Sequence, residues 1–161
     1  MAEPTLSRTH PLEAWTAAFE ALPPAVRITA EPYVPMFDVR GVTAEPNTWI
    51  EVDGGRAVWL GPDESLYLGA TPPPDAAVTD VSAQRIALRL TGGHVRDVLA
   101  QGCAIDLHPR VFGRGRSAVT TLGQAGIVLL ALGDDDFLVL VRSSFAGYLA
   151  DWLLDATLEF T

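Results

Sequence analysis

The chain has 161 residues, 48% of them apolar and 19% charged, with a mean hydropathy of +0.22, which is ample for one folded core and excludes a disordered polymer. The formal charge is -9 and all eleven basic residues are arginine, so nucleic acid and anionic membrane surfaces would be repelled and are poor partners. A single cysteine cannot form an internal disulfide, no apolar leader opens the chain, and the longest apolar run, residues 127–132, is far short of a membrane span; the expectation is a cytoplasmic protein with one domain over residues 1–161.

In chain order, Leu12, Trp15, Phe19 and Leu22 recur at helical spacing after Pro11 and stop at Pro23-Pro24, predicting an amphipathic helix over 11–22. Residues 25–40, broken by Pro32 and Pro35, read as one or two strands near a sheet edge, and 41–47 as loop. Three short strands follow, with turns at Asp53-Gly54-Gly55 and Gly61-Pro62-Asp63, and residues 69–77 form a proline-rich connection. Ile86, Leu88 and Leu90 alternate with Arg85, Ala87 and Arg89, the pattern of a half-buried strand with its other face wet or paired. A short helix after Gly92-Gly93 places Val95, Val98 and Leu99 on one face, with Gly102 suited to end it.

The apolar runs 126–132 and 137–141, joined by a glycine-aspartate turn, predict central strands covered by helices. A final helix, with Ser143 as its cap, gathers Phe145, Leu149, Trp152, Leu153 and Ala156 on one face. Strands joined by hairpins and mixed with helices predict an α+β fold, a mostly antiparallel sheet with packed helices.

Chemistry-bearing residues concentrate in 102–115, where Cys103, Asp106 and His108 fall within six positions. A cysteine nucleophile needs an imidazole or a helix N-terminus beside it. Cys103 follows a helix C-terminus, and Pro109 constrains His108, so a buried thiol and a hydrogen-bonded Asp-His loop are the favoured reading. Cys-x-x-Asp-x-His lacks the second ligand pair of a metal site. Gly113-Arg114-Gly115-Arg116 is similar to a phosphate cradle but lacks the residue order that usually surrounds one, so a flexible arginine-bearing turn is the favoured reading. Asp63-Glu64 reads as a solvated turn. Asp151, Asp155 and Glu159 recur every four residues near a helix C-terminus, a costly arrangement that suits either a basic partner surface or a solvated face. Arginine without lysine suits desolvated ion pairs at an interface, and equally the bias of a GC-rich genome.

Residues 78–123 and 137–156, together with PNTW (46–49) and AVWLGPDE (57–64), closely resemble the gamma subunit of heterotetrameric sarcosine oxidase, in that family's order and over more than half of the chain. Two departures stand out: a short connection between residues 41 and 45, and Ser65 where the family pattern after GPDE usually has tryptophan. The resemblance implies a fold like the folate-binding domain of aminomethyltransferases, and a non-catalytic role. It implies partners, the alpha, beta and delta subunits, with FAD, FMN, NAD and tetrahydrofolate on the larger chains and zinc on another small one. It implies no catalytic, cofactor or metal residue in this chain, and leaves Asp151, Asp155 and Glu159 as the candidate partner interface. A rival expectation is a stand-alone module of the same fold that binds a folate or pterin, and a third is a Cys103-His108 enzyme.

Overall fold

Leu129 and Leu130 are adjacent in one strand and both have 0% exposure. Successive side chains of a strand point to opposite faces, so this strand is covered twice. Ile127, Leu129 and Ala131 enter a core shared with the helices, whereas Val128 and Leu130 enter a second core between two sheets. The same division runs through the next strand: Phe137, Val139 and Val141 face the helices, and Leu138 and Leu140 face away from them.

The structure is a computed structural model and describes residues 9–42 and 44–160. In chain order its strands are β1 (Arg27–Ala30), β2 (Met36–Arg40), β3 (Trp49–Val52), β4 (Gly55–Gly61), β5 (Glu64–Leu68), β6 (Ala77–Asp80), β7 (Arg85–Thr91), β8 (Ser117–Leu122), β9 (Ala125–Gly133) and β10 (Asp136–Arg142). The helices are α1 (Thr16–Glu20), α2 (Val95–Ala100) and α3 (Ala146–Thr157). The first sheet has the order β1-β7-β10-β9-β8 and the second β3-β4-β5-β2-β6, with every pairing antiparallel. Three layers result, helices on the first sheet and the first sheet on the second. This is the α+β class that the pattern predicts.

The second sheet is the main departure. The two apolar runs are central strands as expected, but helices cover one face only, and Met36, Trp49, Val58, Leu66 and Leu68 of the second sheet cover the other. An apolar strand demands burial on both faces without specifying by what. Strand β2 lies between β5 and the edge strand β6, and β1 is itself an edge strand, so both strands of the proline-broken segment fall near a sheet edge as expected. Residues Ala77–Asp80 of β6 are exposed throughout, so their strand character has no burial pattern to announce it. The first helix is shorter than its periodicity suggests: a 3-10 turn at Glu13–Trp15 precedes α1, and Leu12 and Phe19 are its buried anchors.

Ser143 does not cap the last helix. Its Oγ donates to the Ala83 carbonyl at 2.9 Å, and a 3-10 turn at Ser143–Phe145 leads into α3. That turn has a period of three, not 3.6, which carries Phe145 off the buried face on which the helical spacing placed it; Phe145 is 43% exposed.

The sheets are joined by the residues around Trp49. Trp49 Nε1 donates to Ala131 O at 2.9 Å, its backbone N–H to Gly115 O at 2.9 Å, and Ser117 N–H to Asn47 O at 2.9 Å. Asn47 adopts φ +57, a left-handed conformation that asparagine tolerates better than most residues. Toward β6, Ser82 Oγ accepts from the Met36 N–H at 2.9 Å and donates to Met36 O at 3.2 Å.

Candidate functional site

Cys103 is 6% exposed in the helix-side core, and its N–H donates to Leu99 O at 2.9 Å. Asp106 Oδ1 accepts the His108 N–H at 2.9 Å, and His108 Nδ1 accepts the Arg110 N–H at 3.2 Å. The His108 carbonyl accepts from Val111 and Phe112, each at 2.8 Å. The aspartate and the imidazole Nδ1 thus hold the backbone of a loop. Among the described residues, no group of three or more His, Cys, Asp or Glu side chains is placed to hold a metal ion.

One residue organises this loop from outside it. Arg96, on α2, donates to the Leu107 carbonyl, to Phe112 O at 3.1 Å and to Asp134 O at 2.8 Å, with its guanidinium 4.8 Å from the Phe137 ring centre. Sequence reasoning misses it because the carbonyls it meets belong to residues distant in the chain. Its one local signal is a cation directly after Val95 on the short apolar helix.

Gly113 to Arg116 is a turn rather than a cradle. The Gly115 N–H donates to Ala131 O at 3.1 Å and the Arg116 N–H to Gly113 O at 3.1 Å, so these donors serve the protein. Asp63 is exposed, and Glu64 pairs with Arg40 at 3.4 Å.

Asp151, Asp155 and Glu159 are all exposed along α3 and the turn after it. Asp151 differs from the others: its Oδ1 accepts the Trp15 Nε1–H at 2.7 Å, fastening the N-terminal turn to α3. Phe145 and Tyr148 meet edge to face, with ring centres 6.3 Å apart, and Tyr148 is 40% and Leu158 64% exposed. The outer surface of this helix therefore alternates carboxylates with large apolar groups. Trp152, in contrast, turns inward, and a Cβ added at Gly102 would lie 2.4 Å from its ring.

A family model described as the sarcosine oxidase, gamma subunit family matches residues 46–159. The sarcosine oxidase subunit gamma of Corynebacterium sp. (strain U-96) is 36% identical over 123 residues, which are 69% of this chain and 60% of that relative. Its counterpart from Arthrobacter sp is 37% identical over 123 residues, 67% of this chain and 59% of the relative. The matches span about three fifths of the length of these relatives. Among solved structures, a chain of the heterotetrameric sarcosine oxidase from Corynebacterium sp. U-96, in complex with pyrrole 2-carboxylate, superposes with a TM-score of 0.83 and 28% identity, covering 95% of this chain and 96% of that one. The family match begins at Pro46, where the residues that lock sheet to sheet begin, and runs through the Arg96-clamped loop to the end of α3. By that continuous match, the chain belongs to the sarcosine oxidase gamma subunit family.

Proposed function

We propose that the chain is the non-catalytic gamma subunit of a cytoplasmic heterotetrameric sarcosine oxidase, packing against alpha, beta and delta subunits. In this reading the larger subunits carry FAD, FMN, NAD and the tetrahydrofolate site, and oxidatively demethylate sarcosine to glycine while passing the one-carbon unit to tetrahydrofolate. The observation that carries it is the reach of the structural likeness, which takes in nearly all of this chain and nearly all of its counterpart from such an assembly. The commitment of Asp106 and His108 to backbone hydrogen bonds fits a packing role. Among the described residues, no helix is long and apolar enough to cross a membrane.

The outer surface of α3, with Asp155 and Glu159 beside Tyr148 and Leu158, is the proposed contact with a basic partner surface, since apolar area supplies affinity and charge supplies register. Asp151 belongs to the same surface but also holds Trp15, so its loss confounds assembly with folding.

The test is affinity purification of the tagged chain from its own cells. A yellow complex with two larger chains and a small one is expected, and Asp155→Arg with Glu159→Arg should lower its yield while leaving the melting temperature of the chain unchanged. A colourless, solitary protein sinks the proposal and favours a stand-alone folate or pterin module, for which a thermal shift with tetrahydrofolate is the check. Unchanged complex yield in the double variant removes α3 from the interface.

A further inference from the structure

The lateral edge of a sheet presents a row of unpaired backbone N–H and C=O groups, which folded proteins guard with cover, charge or proline. The two sheets end in β1, β8, β3 and β6. Strand β1 is packed by α1, β3 carries Glu51, and β6 follows Pro72–Pro74 and ends at Asp80. Strand β8 has none of these guards: its six residues, SAVTTL, include no charge and no proline.

The start of this edge already serves as a strand template. Gly115, at φ +89, opens a bulge in which its N–H donates to Ala131 O at 3.1 Å and the Ala131 N–H donates to Arg116 O at 2.9 Å, closing the ladder to β9. On the outer side the Trp49 N–H donates to Gly115 O and the Ser117 N–H to Asn47 O, each at 2.9 Å, so residues 47–49 run antiparallel beside 115–117. Pairing direction alternates along an antiparallel strand, so Val119 and Thr121 turn their N–H and C=O outward as Ser117 does. No strand of the sheet lies beyond them, and among the described residues neither makes a backbone bond outside the ladder. Val119 is 60% exposed.

Charge selects the kind of strand that fits. Residues 107–133 contain no aspartate or glutamate, in a chain that has 20, and they contain Arg110, Arg114 and Arg116. All three arginines are exposed, and among the described residues none lies within 4.0 Å of a carboxylate, including that of Glu45 just before the 47–49 segment. A second copy of β8, paired about a two-fold axis, brings another acid-free strand and no counter-charge for them.

We propose that β8 receives an extended acidic segment of a partner chain as an added antiparallel strand. Val119 and Thr121 exchange backbone hydrogen bonds with it. Its C-terminal end lies toward Asn47 and sets carboxylates against Arg114 and Arg116. The inference deepens the proposed function, from which it takes only that the chain has partners.

The test titrates the full chain with a labelled, end-capped peptide of alternating threonine and valine that closes in three glutamates, and with the same peptide closing in three lysines. Fluorescence anisotropy should show the glutamate peptide binding at least about tenfold tighter, with amide exchange slowed at Val119 and Thr121. Thr121→Pro removes one outward N–H at an edge, where proline is tolerated, and should weaken binding about tenfold or more with the circular dichroism unchanged. Arg114→Glu with Arg116→Glu, both on the surface, should do the same if the proline variant fails to fold. No binding to the parent chain, equal binding of the lysine peptide, or undiminished binding in the folded variants overturns the proposal. A dimer of the parent chain that Thr121→Pro abolishes assigns the edge to a second copy and overturns it too. A solitary chain that binds the peptide keeps the edge while the subunit reading fails; a complex in which Val119 and Thr121 still exchange freely keeps the subunit reading and removes the edge.

Discussion

The indole nitrogen of Trp49 lies 2.9 Å from the carbonyl oxygen of Ala131, so one side chain spans from an edge strand of the second sheet to an interior strand of the first. The ring is 7% exposed and sits in the core between the sheets, with the Arg56 guanidinium 5.4 Å from its centre. Trp49→Phe keeps most of the buried area and loses the hydrogen bond, and should cost about 1 kcal/mol. Trp49→Ala opens a cavity as well and should cost about 3–5 kcal/mol. Urea unfolding followed by far-UV circular dichroism measures both; equal losses would mean that the indole N–H contributes nothing apart from packing.

Tyr67 gives the second sheet a pH limit. Its hydroxyl lies 3.3 Å from Val52 O and 3.2 Å from Asp53 O, beneath the turn in which Asp53 and Gly54 take φ +49 and +76. Burial, and then the Asp53 carboxylate, raise its pKa above the ordinary 10.0. Folding therefore favours the protonated phenol: the stability this contributes is complete below about pH 10, the unfolded value, and is lost as pH rises through the higher folded value. Tyr67→Phe should flatten the alkaline limb of a stability-against-pH curve. A limb of unchanged slope would exclude Tyr67 as its source.

The same ring explains Gly55. A Cβ there would lie 2.4 Å from the Tyr67 hydroxyl and 2.5 Å from Leu68 O, and the latter is backbone that cannot swing aside. Gly55→Ala should destabilise by about 1–3 kcal/mol, the usual range for overpacking, in a thermal melt. A neutral result would show that the hairpin shifts freely.

Ser65 has 0% exposure and its Oγ has no hydrogen-bond partner among the described residues. An unpaired buried hydroxyl carries its desolvation cost without return, so Ser65→Ala should stabilise the chain by about 1 kcal/mol. A loss of stability on the same melt would mean that the hydroxyl is satisfied in solution.

Cys103 should react slowly with iodoacetamide in the native chain and rapidly once denaturant exposes it, because the thiol is reached only by opening the helix-side core. Fast alkylation without denaturant would return the nucleophile reading to contention.

What the sequence announced and what it concealed divide along physical lines. The Asp53-Gly54 turn was legible because few residues accept a left-handed backbone, and both do so here. The β7 strand was legible from alternation, and the outward Arg89 is indeed paired, with Asp136 Oδ1 and Oδ2 at 2.9 and 2.6 Å. Strand β6 was not legible, since all its residues are exposed and no alternation of buried and exposed positions marks its pairing with β2. Nor was the second sheet as a layer: Leu130 says that it is buried, and nothing in its neighbours says whether a helix or a strand covers it. At the candidate sites, the loop role of Asp106 and His108 followed from local spacing, whereas the Arg96 clamp and the Trp15-to-Asp151 bond join segments that only the fold brings together.

The pairing of β1 with β7 carries a consequence for synthesis. Arg27 finds Thr91 as its partner, so β1 emerges from the ribosome long before the strand that will hold it, and the intervening chain encodes the second sheet. At ordinary elongation rates the N-terminal strand waits several seconds with its edge unpaired while the second sheet has the chance to fold first. The nascent chain is therefore most open to chaperones or to mispairing before residue 91 is released, and a translational pause in the stretch just upstream would lengthen that exposure.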